Sequence, residues 1–236
     1  MTTRGGVSAA KLIEERGITL VSLDLDDTLV DSDAVAEVRI RAALAVARQL
    51  VPDIDPVRAE LALSEGVHAN PVVVGRMPAF LATLGIDPKT ETGQAIRAEY
   101  NRVLIDELEW IEGARDALLR LRERFTLAIV TNGPPEMQWP KVRKFGIESL
   151  VDHIVVSGDV GHHKPDPRIF EVLLERAGVS ASVAAHVGDS IHSDIAGARA
   201  AKLTAIWYPP KKREPDEIGE HEPDAIIDRL DDLLDG

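Results

Sequence analysis

The 236-residue sequence contains no cysteine, and this absence removes three kinds of site at once. Without a thiol the chain has no disulfide, no thiolate-bound zinc and no cysteine nucleophile, a composition that suits a reducing compartment. Basic residues are also scarce, with 27 Lys and Arg against 40 Asp and Glu and a formal net charge of -13. Because an acidic surface repels nucleic acid phosphates and anionic lipid, we expect neither nucleic acid nor a membrane as a partner.

Long apolar runs are missing as well. No window approaches the length of a membrane span, and residues 1–19 carry four charged side chains between positions 11 and 16, unlike a signal peptide. Hydrophobic residues at 44% and charged residues at 28% are typical of soluble globular chains. The length allows one large domain or two modest ones. We therefore expect a cytoplasmic protein with a well-filled core.

Short apolar segments alternate with amphipathic ones along most of the chain. The lack of strict polar alternation in the apolar segments suits buried parallel strands. The alternation predicts an α/β fold, in which a parallel sheet is covered by helices on both faces. Strands are expected at 19–25, 125–131, 153–157, 183–188 and 203–208, and helices at 114–123, 136–145, 167–177 and 191–201.

The pattern changes between residues 32 and 108, where apolar positions recur at helical spacing and no strand is expected. Proline and glycine should divide this stretch into several short helices. We expect a helical insert at 32–108 and a sheet-containing core formed by 1–31 and 109–236. The acidic segment after Arg213 is expected to be a solvated surface segment with a last helix.

Three carboxylates follow the first predicted strand, at Asp24, Asp26 and Asp27. Uncompensated negative charge is costly at the end of a buried strand. If the strand extends that far, its two-residue period turns Asp24 and Asp26 to the same side, beyond the carboxyl end of the sheet where ligands bind. A hard cation would relieve the repulsion. Mg2+ fits, because it needs few protein carboxylates and accepts phosphate and water as its other ligands.

Polar residues stand at the ends of other segments too. Asp189 and Asp194 follow the strand at 183–188, where capping of the next helix is an equally good explanation by itself. Thr131, Asn132 and Gly133 end another strand and form either an ordinary turn or a phosphate-binding one. Lys164, just before a proline and a helix, offers a point charge for an anion, although most lysines are simply solvated.

Taken in chain order, these elements resemble the haloacid dehalogenase-like (HAD) hydrolase superfamily, and the resemblance covers residues 20–208. The superfamily pattern is an Asp-x-Asp-x-Thr motif, a strand-terminal Ser or Thr, a Lys before a helix and a Gly-Asp-x-x-x-x-Asp motif. The sequence has these at Asp24, Thr131, Lys164 and Gly188. The resemblance implies a Rossmann-like core and makes the insert at 32–108 an α-helical cap.

The resemblance also implies a function, that of a Mg2+-dependent phosphatase acting on small phosphate monoesters. Asp24 would be the nucleophile that forms an aspartyl-phosphate, and Asp26 would be the general acid and base. The phosphoryl group would be bound by Thr131, the backbone N–H of Asn132 and Lys164. Mg2+ would be held by Asp24, the backbone carbonyl of Asp26, Asp189 and, directly or through water, Asp194.

Several alternatives stay open at this point. A phosphomutase uses the same residues, and a 2-haloacid dehalogenase attacks carbon with its Asp but needs neither Mg2+ nor the second Asp of the first motif. Receiver modules share the chemistry, yet they are about half as long and order their acids differently, and a catalytically silent binding protein would not need Asp26. Sugar phosphates, phosphoglycolate, acylneuraminate phosphate and nucleoside monophosphates are all reasonable substrates. We expect a monomer or a homodimer.

Overall fold

The computed structural model describes residues 8–69, 75–210 and 221–234. The chain divides into two compact units, a core unit of Met1–Asp31 with Trp110–Gly236 and a helical unit of Ser32–Glu109. The predicted division differs from these bounds by one residue at the second boundary. That the helical unit serves as a cap stays a prediction.

The core unit contains a six-stranded parallel sheet, so the predicted α/β fold is confirmed. The strand order is β3-β2-β1-β4-β5-β6. The chain builds outward from β1 in one direction and then restarts at β4 on its other side, which creates a crevice beyond the carboxyl ends of β1 and β4. The strands are β1 (Leu20–Leu23), β2 (Thr126–Thr131), β3 (His153–Val156), β4 (Ala184–Gly188), β5 (Thr204–Trp207) and β6 (Ala225–Ile226).

Every residue of β1 and β4 is buried, which explains why these segments are apolar without strict alternation. Helices cover the sheet, and α9 contributes Ile169, Phe170 and Leu173 to the cluster that also contains Val130. The α-helices of the core unit are α1 (Ala9–Glu15), α6 (Ala114–Leu121), α7 (Pro135–Lys144), α8 (Ser157–Val160), α9 (Arg168–Ala177) and α10 (Ala196–Ala200). Short 3-10 helices lie at Ile147–Ser149, Ala181–Val183 and Leu230–Leu233.

The elements differ from the sequence-based expectations in four places. The first strand ends at Leu23, so the two-residue period does not extend to Asp26. The helix expected at 191–201 is a π-helix at Ile191–Ile195 followed by α10. The acidic tail ends in a 3-10 helix, and it also supplies β6, which was not expected because two residues are too few to give a pattern. Helix α1 was not expected either. Residues 211–220, which include the first part of the acidic tail, lie outside the described residues.

The helical unit consists, in its described residues, of α2 (Ala36–Leu50), α3 (Pro56–His68), α4 (Arg76–Leu84) and α5 (Glu91–Glu107) around a core that includes Ile40, Phe80 and Ile96. Its boundaries follow capping chemistry: the Asp55 side chain accepts from Arg58 N at 2.8 Å, directly before α3. Pro78 does not interrupt α4, because it lies in the first turn of the helix, where a backbone N–H would have no intrahelical partner.

No helix in the described ranges is long and apolar enough to cross a membrane.

Candidate active site

The end of β1 delivers a buried carboxylate to the edge of the sheet. Asp24 continues the ladder one residue beyond the strand, since its N–H donates to Val187 O at 2.9 Å, and its side chain is largely buried. The chain then turns sharply: Asp27 has φ 58, and the N–H groups of Leu29 and Val30 both donate to Leu25 O. This turn gives Asp26 surroundings different from those of Asp24.

The end of β4 brings a second carboxylate into the same crevice through a π-helical turn. Ser190 caps that turn, since its Oγ accepts from Ser193 N at 3.3 Å, so the capping function considered for Asp189 belongs to its neighbour. The turn brings Asp194 back to the strand end, where its Oδ2 accepts from Ser190 N at 3.0 Å. A Cβ at Gly188 would lie 2.2 Å from Asp194 Cγ, so this approach requires glycine.

The end of β2 carries the polar turn and fixes the loop that holds Lys164. The Asn132 side chain donates from Nδ2 to Lys164 O at 2.9 Å and accepts from Lys164 N at 2.8 Å. Thr131 Oγ1 is buried and has no hydrogen-bond partner among the described residues. Since buried hydroxyls nearly always have a partner, an orphaned one at a strand end indicates a ligand-binding position.

Lys164 joins the three strand ends. Its ammonium is almost completely buried and donates to Asp24 Oδ1 at 2.6 Å, to Asp194 Oδ1 at 2.6 Å and to Val130 O at 2.7 Å. Burial by itself would lower the pKa of Lys164, but the charges of Asp194 and Asp24 outweigh burial and hold that pKa above its ordinary value. The lysine is therefore charged, and it is the element of the site that bridges the two acids.

The two carboxylates that share Lys164 respond differently to it. Burial raises the pKa of Asp24 to about 7, although Lys164 opposes this change, and the charges of Asp194 and Asp26 add to it. Burial also acts to raise the pKa of Asp194, but Lys164 and a hydrogen bond from His186 hold that pKa far below its usual range. Asp24 is thus the acid of the pair that is short of positive charge.

Asp24, Asp189 and Asp194 form a cluster of buried acids, with one oxygen from each lying within 4.8 Å of the others. Lys164 forms ion pairs with two of these acids, Asp24 and Asp194, and burial makes any uncompensated carboxylate charge costly. The donors are all carboxylate oxygens, the ligand type that a hard divalent cation prefers. These residues fit such a cation.

A buried pair of polar residues, Ser22 and His186, contacts the cluster through Asp194, and sequence reasoning missed this pair. His186 Nε2 lies 3.0 Å from Asp194 Oδ1, and its Nδ1 lies 2.9 Å from Ser22 Oγ. Burial lowers the pKa of His186. The sequence did carry a signal, because Ser22 and His186 are polar residues inside two otherwise apolar strands. In the structure they are paired directly across these two parallel strands.

Asp26 lies apart from the acid cluster and has partners of its own on α7. Lys141 Nζ donates to both of its carboxylate oxygens at 2.7 Å, and Gln138 Nε2 donates to one of them at 3.1 Å. The Asp26 carboxyl does not belong to the cluster of Asp24, Asp189 and Asp194. The group of Asp26 that is predicted to bind Mg2+ is its backbone carbonyl. Sequence reasoning missed Lys141 and Gln138 as well.

The haloacid dehalogenase-like hydrolase family matches residues 18–202 of this chain. The chain belongs to this family. The family prediction is thereby confirmed, and the HAD hydrolase has curated and structural relatives along most of its length. It is 32% identical, over 81% of each chain, to a glyceraldehyde 3-phosphate phosphatase of Pyrococcus abyssi.

Solved structures of similar proteins cover both units. The structure of the HAD-hydrolase YfnB from Bacillus subtilis bound to magnesium has a TM-score of 0.68 and 26% identity, covering 92% of this chain and 97% of that one. A 2-haloacid dehalogenase from Pseudomonas syringae has a TM-score of 0.63 and 32% identity, covering 92% and 96%. The family thus includes relatives named for two different reactions.

Proposed function

We propose that this HAD hydrolase is a phosphatase that cleaves small-molecule phosphate monoesters through an aspartyl-phosphate on Asp24. One observation carries the proposal: the buried Asp24 carboxylate lies against the Lys164 ammonium at the ends of the central strands, where an acid cluster fits a divalent cation. The curated relative named above is a phosphatase, which supports the same reaction.

In the first half of the reaction, an Asp24 oxygen attacks phosphorus in line and the ester P–O bond breaks. Asp26, in its protonated form, gives its proton to the leaving alkoxide and is left as the carboxylate. The charged Lys164 draws the phosphoryl oxygens toward the nucleophile, and the orphaned Thr131 hydroxyl donates to one of them. The Asn132 backbone N–H contributes a further donor, while its side chain keeps Lys164 in place.

In the second half, water attacks the phosphorus of the aspartyl-phosphate, and Asp26 takes the proton that this water loses. The P–O bond to Asp24 breaks, so phosphate leaves and the carboxylate is restored. Splitting one hydrolysis into two transfers lowers the barrier of each.

The resident cation that best fits the site is Mg2+. Asp24, Asp189, Asp194 and the backbone carbonyl of Asp26 are the groups that would hold it, since it prefers oxygen ligands. Bound there, Mg2+ supplies positive charge that allows the anionic phosphate to approach the anionic nucleophile. We further propose a cytoplasmic enzyme, monomeric or homodimeric, that acts on small molecules only.

Dehalogenation is the second candidate, because one solved relative is a 2-haloacid dehalogenase. That reaction needs neither Mg2+ nor the second acid of the first motif. This chain has Asp26 and holds its carboxyl with two donors, which favours the phosphatase. A phosphomutase would use the same residues but return the phosphoryl group to a sugar.

The deciding experiment measures phosphate release from a panel of esters, with Mg2+ and with a chelator. Glyceraldehyde 3-phosphate comes first, followed by phosphoglycolate, phosphosugars and nucleoside monophosphates, and halide release from 2-haloacids is measured in parallel. We expect Mg2+-dependent phosphate release that Asp24→Asn abolishes. Halide release without phosphate release would identify a dehalogenase, and transfer between sugar positions without free phosphate would identify a mutase.

A further inference from the structure

The partners of Asp26 are unusual because they come from one face of a helix and are themselves buried. The Lys141 side chain is 6% exposed and that of Asp26 is 25% exposed. Gln138 stands one turn earlier on α7 and is also buried. Two donors spaced three residues apart on a helix therefore converge on one carboxyl group.

This arrangement costs stability in a way that a surface pair would not. Moving an ammonium group out of water is expensive, and a buried ion pair often contributes less to stability than apolar side chains of the same size would. An anchoring function accounts for its presence here. Lys141 fixes the position of both carboxylate oxygens, and the Gln138 amide fixes the rotation of the carboxyl plane by selecting one of them.

Gln138 also connects Asp26 to the phosphate-binding turn. Its Nε2 donates both to Asp26 Oδ2 and, at 2.5 Å, to Asn132 O. A Cβ at Gly133 would lie 2.5 Å from this nitrogen, so the glycine leaves the space that the amide occupies. One side chain thus sets the distance between Asp26 and the turn that carries Thr131.

We infer that Lys141 and Gln138 are positioning residues that hold the Asp26 carboxyl where it meets the leaving oxygen of the substrate. The inference rests on the proposed function, in which Asp26 transfers that proton. A displacement of about 1 Å in a reacting group can reduce the rate about 100-fold. In the first half of the reaction the loss should depend on the leaving group, because a nitrophenolate can depart without taking up a proton whereas an alkoxide needs one.

The test compares an alkyl phosphate with p-nitrophenyl phosphate for Lys141→Met, Lys141→Arg and Gln138→Met. For Lys141→Met we expect kcat/KM to fall about 100-fold on the alkyl ester and less than about 10-fold on the aryl ester. This ratio reports only the steps up to cleavage of the ester bond, whereas the later attack of water on the aspartyl-phosphate, which also uses Asp26, is common to both esters. Lys141→Arg should recover part of this loss. Gln138→Met should also lose more activity on the alkyl ester than on the aryl ester, but both losses should be smaller. Lys144→Met, which removes an exposed lysine from the same helix, is the control and should leave both rates unchanged.

A double-mutant cycle separates positioning from folding. In an Asp26→Ala background, Lys141→Met should cause little additional loss on the alkyl ester, because the group that it positions is gone. An equal loss of kcat/KM on both esters with a lowered melting temperature, or additive losses in the cycle, would overturn the inference. If the wild type is active and both Lys141→Met and Gln138→Met match it, the inference alone fails. If the wild type releases phosphate from neither ester, the proposed function fails with it.

Discussion

The raised pKa of Asp24 predicts that the nucleophile destabilises the metal-free fold at neutral pH. Its pKa is raised from 3.8 in the unfolded chain to about 7 in the folded one, chiefly by burial. Each pKa unit corresponds to about 1.4 kcal/mol, so ionisation of Asp24 costs the folded state about 4 kcal/mol in total. Asparagine has nearly the shape of the protonated acid but cannot ionise. Asp24→Asn should therefore be more stable than the wild type above pH 4.

The sign follows from which state binds the proton more tightly. Below about pH 4 the acid is protonated in both states, and the two proteins should be equally stable. As the pH rises toward 7, the unfolded wild type loses its proton and the folded one does not, so the wild type loses stability. Between about pH 5 and 8 the difference between the variants should grow by about 2 to 3 kcal/mol. Burial lowers the pKa of His186, which by itself makes stability rise with pH. Because both proteins contain His186, this contribution cancels when their unfolding free energies are subtracted.

Urea unfolding in a chelator, followed by tryptophan fluorescence, measures this difference. Trp110, Trp139 and Trp207 all lie in the core unit, so the signal reports on the unit that contains Asp24. Urea titrations at four pH values from 5 to 8 should show the unfolding midpoints of the wild type and of Asp24→Asn moving apart as the pH rises. A constant difference, or one that shrinks as the pH rises, would refute the argument that burial outweighs Lys164 at this carboxyl.

Three further predictions concern the same cluster. Saturating Mg2+ should raise the melting temperature of the wild type more at pH 8 than at pH 5, because the ion competes with the proton for Asp24, and equal shifts in a thermal melt would contradict this. Lys164→Met should cost about 3 kcal/mol or more in unfolding free energy, since it leaves two buried carboxylates without their cation, and should lower turnover at least about 1000-fold; near-normal phosphate release would contradict its function. Gly188→Ala should lower turnover about 100-fold by pushing Asp194 away, whereas Gly161→Ala, where a Cβ meets nothing within 4 Å, should cost about 1 kcal/mol of backbone strain and little activity.

The strands and their polar ends could be predicted because each depends on local sequence. The segment that forms β2 is apolar and β-branched, and the parallel arrangement brings its end to the same edge as those of β1 and β4. Lys164 was recognised from its place before Pro165 within a larger pattern. Its burial and its contacts with two acids depend on the tertiary fold, which a single lysine in a sequence does not reveal.

The partners of the predicted residues were not predictable in the same way. Helical periodicity indicates that α7 has a buried face, but lysine and glutamine are ordinarily assigned to the solvent side. Only the path of the Asp26 turn, which brings a carboxyl against that face, makes burial of Lys141 acceptable. The π-helix at Ile191–Ile195 was missed for a related reason, since its sequence has the same amphipathic pattern as an α-helix.

The first motif places two acids two residues apart, and the structure pairs each with a different lysine. Asp24 must share Lys164 with Asp194, so it remains short of positive charge and open to a cation or a phosphoryl group. Asp26 has Lys141, which contacts both of its oxygens. The difference arises because β1 ends at Leu23: Asp24 still follows the sheet, while Asp26 already belongs to the turn. Two chemically identical side chains in different surroundings can take different parts in one reaction, and here the end of a strand separates them.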